Sequence, residues 1–257
     1  MGSNILESFS LTGKKAIVVG GAGDLGKAMV EALCEAGAHT VVIDLDKRLF
    51  GICEEFNDLG FQVYPILADV SKISEIEESY KSALEKLGGH VDILINSAGI
   101  QRRYPSEDFP NEEWRSVLSI NLDATFYYCK FAGKNMIKSG GGKIINIASI
   151  MSYLGGITIP AYAASKGGVG QLTKALSNDW AAKGICVNAI APGYMDTQLN
   201  TALINDKKRT DEVLLRVPMK RWGKGEDLKG ITVFLASSAS NYITGCVIPV
   251  DGGYLAR

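Results

Sequence analysis

Apolar positions in this chain fall into short continuous runs that alternate with longer stretches in which they recur every three or four residues. The first pattern is that of a buried strand and the second that of a helix with one face on a core. Ala16 to Val19 is such a run; a glycine-rich turn follows, then a helix with Leu25, Met29 and Leu33 on one face. The alternation continues through the strand AHTVVIDLD, a helix ending at Leu59, the strand FQVYPILADV, a helix from Ser74 to Leu87 and the strand VDILINSAG. Asn111 to Ser139 reads as one long helix and KIINIAS as a buried strand. After Pro160 the chain reads as a helix, and DLKGITVFLASSAS with CVIPVDGG supplies a last helix and strand. Repeated strand–helix units predict an α/β fold: a single doubly wound parallel sheet of Rossmann type with helices on both faces. Nothing marks a repeat, a linker or a boundary, so residues 1–257 read as one domain. The mixed polar stretch 194–221 reads as a helical lid over it.

With 257 residues, 46% of them hydrophobic, the chain has enough apolar material for one substantial core. Its 27 basic and 28 acidic residues nearly cancel, which argues against nucleic acid or an anionic membrane as partner. Cys34, Cys53, Cys129, Cys186 and Cys246 are scattered, with no C-x-x-C and no histidine close by, so they read as reduced core residues of a cytoplasmic protein and no metal or disulfide role is expected. The amino terminus has no basic n-region and no long apolar stretch of a signal peptide, and Leu6 stands where the acylation pattern at Gly2 requires Ser or Thr. No apolar run reaches the length of a membrane span.

The glycine turn satisfies G-x-G-x-x-G at Gly21, Gly23 and Gly26, between a strand and a helix. Backbone N–H groups at a helix start face outward and its dipole favours negative charge, so the context is that of a dinucleotide phosphate cradle. Asp44 closes the second strand, eighteen residues past Gly26. A carboxylate there suits the adenosine ribose diol and repels a 2′-phosphate, which favours NAD over NADP, although Lys47 and Arg48 follow closely.

The second chemical feature is Ser149, with Tyr162 thirteen residues on and Lys166 four beyond that. Positions i and i+4 share a helix face, and the preceding strand can present Ser149 to the same point. A free tyrosine has a pKa of about 10, and lowering it to about 7–8 takes roughly 3–4 kcal/mol of preferential stabilisation of the phenolate. A lysine ammonium beside Tyr162 is expected to supply much of this. Tyr162 then exchanges a proton with a substrate oxygen that Ser149 hydrogen-bonds. Asp69 and Asn96 fall at strand ends, where open α/β sheets bind ligands, and Asp69 equally suits capping the next helix. Asn121 sits inside a helical stretch that its side chain disfavours, either on the surface or held there for a reason.

These motifs, in this order, resemble the short-chain dehydrogenase/reductase family over essentially the whole chain. The likeness rests on Gly20 to Gly26, Asp69-Val70, Asn96-Ser97-Ala98-Gly99, Asn121, Ser149, Tyr162-x-x-x-Lys166 and Pro192-Gly193. It implies a catalytic tetrad: Tyr162 as acid and base, Ser149 on the reacting oxygen, Lys166 lowering the phenol pKa and holding the nicotinamide ribose, and Asn121 positioning a relaying water. It implies that NAD meets Gly20, Ala22, Asp24 and Leu25 in the turn, Asp44 at the ribose and Asp69-Val70 at the adenine. Asn96, Ala98 and Gly99 would line the channel, with Tyr162 and Lys166, and Pro192, Gly193, Met195 and Thr197 would follow the nicotinamide and pyrophosphate. Two positions depart from the family pattern. Asp24 replaces a glycine, so its carboxylate either repels the pyrophosphate or caps the helix and points away. Ser97 stands where an asparagine is common.

Within the family the likeness is greatest to the gluconate and deoxygluconate dehydrogenases, carried by Ala98 to Arg103, Gly142 to Ser149, Ala191 to Met195, Arg221 to Gly223 and the terminal Asp251 to Arg257. Arg102 and Arg103 follow directly on the channel loop, and a guanidinium there can clamp a sugar-acid carboxylate beside Ser149 and Tyr162. The resemblance also implies a homotetramer. Reduction of 3-oxoacyl thioesters, oxidation of uncharged polyols and non-catalytic dinucleotide binding stand as alternatives. His39 and His90 match none of these roles.

Overall fold

A computed structural model describes residues 4–257, with the side chain of position 202 left out of the description; Gly2, considered above for acylation, lies outside them. Seven strands form one parallel sheet in the order β3-β2-β1-β4-β5-β6-β7. They are β1 Lys15–Val19, β2 His39–Asp44, β3 Val63–Leu67, β4 Ile93–Asn96, β5 Gly142–Ile147, β6 Ile185–Pro192 and β7 Val247–Val250. Side chains alternate between the faces of a strand, and both faces here are apolar. Ala16, Val18, Val42, Ile93, Ile95 and Ile145 pack into one core with Met29 and Leu33 of α1 (Asp24–Glu35), Phe56 of α2 (Arg48–Asp58) and Leu228 and Leu235 near the end of the chain. Ile17, Val19, Val41, Ile43, Leu94 and Ile144 point the other way. They meet Ile76 and Tyr80 of α3 (Ile73–Lys86) and Tyr128 on the opposite layer. Pro65 and Pro249, which cannot donate to a ladder, both lie on edge strands.

The stretch expected as one helix over 111–139 is three pieces. α4 (Asn111–Leu118) passes through a π-helical turn, Ser119–Asp123, into α5 (Ala124–Ser139). Asn121 sits in that wider turn and is 0% exposed, so the surface reading of it is wrong. Its amide bonds to two other segments in place of competing with its own helix. α6 (Pro160–Trp180) begins with Pro160 in its first turn, where a missing N–H costs nothing. The 194–221 stretch carries α7 (Thr201–Asn205) and α8 (Lys207–Arg216), and α9 (Glu226–Ala236) returns to the sheet.

The strand order turns outward in both directions from β1 and β4, and the crevice of such a sheet opens at the carboxyl ends of those strands. Gly20 and Ser97 leave the sheet at that point, with Ser149 one strand further across, beyond the end of β5.

Candidate active site

Ser149 is held by the end of β5 and by its own turn: its backbone is extended and its Oγ accepts a hydrogen bond from the N–H of Met151 at 3.1 Å. Tyr162 and Lys166 face it from the first turns of α6. Ser149 lines the same two cavities as Tyr162, and Lys166 Nζ lies 5.8 Å from the centroid of the Tyr162 ring. Lys166 is 4% exposed, and Nζ donates to the carbonyl of Ile147 at 2.6 Å.

The electrostatics differ from the expectation. Burial raises the Tyr162 pKa above its ordinary value; the Ser149 hydroxyl and the charge of Arg103 only partly oppose this. Lys166 does not depress it, because its ammonium lies along the ring and points at a main-chain carbonyl. The burial that protects the phenol also lowers Lys166 from 10.5 to about 8.

Two cavities meet at this cluster. One, of about 280 Å³, runs past the glycine turn and is lined by Gly20, Asp24, Leu25, Gly99, Lys166, Pro192, Met195 and Thr197. The other, of about 420 Å³, opens outward and is lined by Gln101, Arg103, Ile150, Tyr194 and residues of α8. Ser149, Tyr162 and Gly193 belong to both, so whatever occupies one cavity meets the contents of the other at the phenol.

Several expected ligands have other duties. Asn121 accepts from the N–H of Ile100 at 2.8 Å and donates to the Ile100 carbonyl and to Ser165 Oγ, both at 3.0 Å. Its amide therefore braces the loop after β4 against α6. Asn96, opposite Asn146 in the sheet, donates to Asn146 Oδ1 at 2.9 Å and to Cys129, which makes it a buried tie between strands and not part of a cavity wall. Asp69 accepts from the N–H and hydroxyl of Ser71 and pairs with Lys72, so it holds the turn before α3 without capping the helix itself; the Ser71 hydroxyl above all holds its carboxyl below the usual range. Neither it nor Val70 lines either cavity. Ala98 packs against Gly20, where an added Cβ would strike its backbone. Ala22 and Asp44 also lie off the cleft wall and are tied together, Ala22 N–H to Asp44 Oδ2 at 2.9 Å.

Asp24 points across the cleft and accepts from the N–H of Gln198 at 2.7 Å, which joins the glycine turn to the 194–221 segment. Arg102 is drawn away from the outer cavity: its Nε donates to Glu113 at 2.7 Å and Nη1 to the Gln101 carbonyl, so the expected carboxylate clamp reduces to Arg103. The outer cavity also presents Arg209, Glu212, Arg216 and Tyr254, none of which carries a motif. The signals available in the sequence were the polar character of the lid and, for Tyr254, the terminal run Asp251 to Arg257 that carries part of the family likeness.

The inner cleft fits a dinucleotide. Gly20 has φ +80°, a left-handed conformation that keeps the turn tight, and a Cβ on Gly26 would collide with the Gly20 carbonyl. A Cβ on Gly99 would stand in the cleft, 3.4 Å from Asn121 Oδ1 and 3.6 Å from Lys166 Nζ. The start of α1 aims its free N–H groups at the same space.

Fold and site together define an oxidoreductase of Rossmann type that works with NAD or NADP. The chain belongs to the short-chain dehydrogenase/reductase family: the family profile described as Enoyl-(Acyl carrier protein) reductase matches residues 20–255. It is 43% identical to the 2-dehydro-3-deoxy-D-gluconate 5-dehydrogenase of Bacillus subtilis (strain 168), covering 98% of each chain. It is 37% identical to the gluconate 5-dehydrogenase of Gluconobacter oxydans (strain 621H), covering 95% of this chain and 96% of that one. A crystal structure of a gluconate 5-dehydrogenase from Burkholderia cenocepacia J2315 in complex with NADP and tartrate superposes with a TM-score of 0.95 at 38% identity, covering 99% of this chain and 100% of that one. Among the described residues no cluster could hold a metal ion, and no helix is long and apolar enough to cross a membrane.

Proposed function

We propose that the protein interconverts a secondary alcohol and the matching ketone on a sugar acid of gluconate or deoxygluconate type, with NAD as preferred cofactor. The observation that carries this reading is the meeting of a dinucleotide cleft and an arginine-lined cavity at one half-buried phenol. A bound nicotinamide supplies or accepts the hydride. Tyr162 Oη gives the proton to the substrate oxygen in reduction and takes it in oxidation. Ser149 donates to that same oxygen as charge gathers there. Lys166 stands by the ring as the positive charge of the site, and Asn121 keeps the Gly99–Gln101 loop in register with α6. The 194–221 segment acts as a lid, with Leu199 and Asn200 facing both cavities.

NAD is preferred because Asp44 places a carboxylate at the end of β2, fixed by the N–H groups of Ala22 and Asp46. Of the two cations that follow it, Arg48 is paired with Asp46 at 2.7 Å, and Lys47 is the one left to offset it. An arginine-lined cavity suits an acid better than the neutral acyl arm of a thioester. The assay is a panel of gluconate-type acids, uncharged polyols and 3-oxoacyl thioesters, run with NAD and NADP in parallel. Sugar acids should be the substrates, with kcat/KM for NADP lower by about tenfold or more, or at least 1.4 kcal/mol. Turnover confined to polyols or thioesters would reject the reading.

The five free cysteines suit a cytoplasmic enzyme, although only Cys34, Cys53 and Cys129 are core residues; Cys186 is half-buried and Cys246 exposed. A homotetramer would cover apolar side chains exposed on this chain, including Trp114 on α4 and Phe126 on α5. Light scattering at micromolar concentration should return the mass of four chains; a monomer would exclude that assembly.

A further inference from the structure

We infer that Arg216, stacked on Tyr254 at the end of α8, is the residue that binds the substrate carboxylate, an inference that rests on the sugar-acid reading above. The outer cavity has three guanidinium groups in its wall, Arg103, Arg209 and Arg216, against one carboxylate, Glu212. They are not equivalent. Arg103 acts on the charge of Tyr162, which places it at the reacting end. Arg209 lies two helical turns before Arg216 on the same face of α8, and among the described residues its guanidinium has no ion pair and no stacking ring. Arg216 alone is held in one pose.

Its guanidinium carbon lies 4.4 Å from the centroid of the Tyr254 ring. Tyr254 is 4% exposed; it packs edge-on against Tyr194, with ring centroids 5.2 Å apart, and Tyr194 packs edge-on against Trp222 at 5.8 Å. Ile150, next to Ser149, shares a small core with Tyr254 and Val217, so the stack is anchored to the catalytic turn. A ring that covers one face of a guanidinium leaves its edge donors free, and that edge is the part that matches a carboxylate.

Those donors have no other use. Among the described residues Arg216 has neither a carboxylate at ion-pair distance nor a hydrogen-bond acceptor, whereas Arg102 is tied to Glu113 and Arg221 to both oxygens of Asp227. Nor is Arg216 needed to cap its own helix. Lys220 Nζ donates to the carbonyls of Leu214 and Leu215, and Arg257 Nη1 to that of Leu215 at 3.1 Å. The carboxyl-terminal residues thus build the carboxylate site twice over: Tyr254 supplies the platform and Arg257 relieves the helix end.

Steady-state kinetics on the full chain, with a sugar acid and an uncharged polyol of the same length, separates the roles. Arg216→Gln should raise KM for the acid about 30-fold with kcat within threefold, and leave the polyol constants unchanged. Arg216→Lys, which keeps the charge but loses the fork, should fall between. Tyr254→Ala should raise the same KM about tenfold, while Tyr254→Phe, which keeps the ring face, should restore it. Circular dichroism establishes that each variant is folded, and Arg216→Lys with Tyr254→Phe carry the test if a harsher variant is not. A wild-type enzyme that turns over no sugar acid overturns the functional reading and this inference together. A wild type that does, with KM unmoved by either Arg216 variant or raised equally for acid and polyol, overturns the inference alone.

Discussion

Tyr162→Phe should reduce turnover by about a thousandfold or more while the folded protein still binds dinucleotide, because positioned acid–base catalysis contributes about 10²–10⁴ and the neighbouring Ser149 hydroxyl, an aliphatic alcohol, is far too weak an acid to replace the phenol. The ring remains to pack beside Lys166, and only the Oη shared with Ser149 is lost. Nicotinamide absorbance gives the rate, and a titration of cofactor fluorescence gives binding; near-normal turnover would remove Tyr162 from its role. The pH dependence follows from the direction of its shift. Burial raises the phenol above its ordinary value, so it is protonated at neutral pH and ready to donate. Ketone reduction should therefore hold across neutral pH, and alcohol oxidation, which needs the phenolate, should climb as pH rises above 7. An oxidation rate that falls over that range would contradict the electrostatics of the site.

Lys166→Met should also silence the enzyme, by about a hundredfold or more, and at neutral pH it should make the fold more stable. Burial lowers this lysine from 10.5 to about 8, so its charged form is disfavoured in the folded state. Below pH 8 both folded and unfolded chains carry the proton, and the cost of the buried charge is fully present. Between 8 and 10.5 the unfolded chain binds more protons than the folded one, so wild-type stability rises with pH and the cost is gone above 10.5. The shift corresponds to about 3 kcal/mol, and loss of the bond from Nζ to Ile147 takes back about 1 kcal/mol, leaving a gain of about 2 kcal/mol for the variant at pH 7. Urea unfolding of both proteins at pH 7 and pH 10 measures this. A variant less stable than wild type at pH 7, or a gain that does not shrink toward pH 10, would show that the lysine is not buried at such cost. A stability cost at a catalytic lysine is the usual trade of rigidity for function.

Much of this molecule is legible in its sequence because strands, turns and helix starts depend on near neighbours. The apolar runs around Val18, Val42, Ile95 and Ile145, with those of β3 and β7, give six of the seven strands, while β6 (Ile185–Pro192) was not read from the sequence; the glycines at 20 and 26 give the turn whose close approaches only glycine permits. The spacing of Tyr162 and Lys166 gives one helical face. Legibility fails at side chains that had a choice of partner. Arg102 and Arg103 are adjacent and alike, yet Glu113, eleven residues downstream, takes one and leaves the other in the cavity. Asn121 reads as an awkward helix residue, and its burial follows from Ile100 and Ser165, which belong to other elements.

The chain alone thus determined the parallel sheet, the phosphate-binding turn, the serine, tyrosine and lysine, and the membership those residues imply, since each is set by local backbone preference or a fixed periodicity. Tertiary structure alone decided which arginines face the substrate, which asparagines serve as braces, and that Tyr162 lies above and Lys166 below their ordinary pKa values. Those outcomes depend on which distant groups exclude water from a side chain or claim its hydrogen bonds, and that is a property of packing in three dimensions.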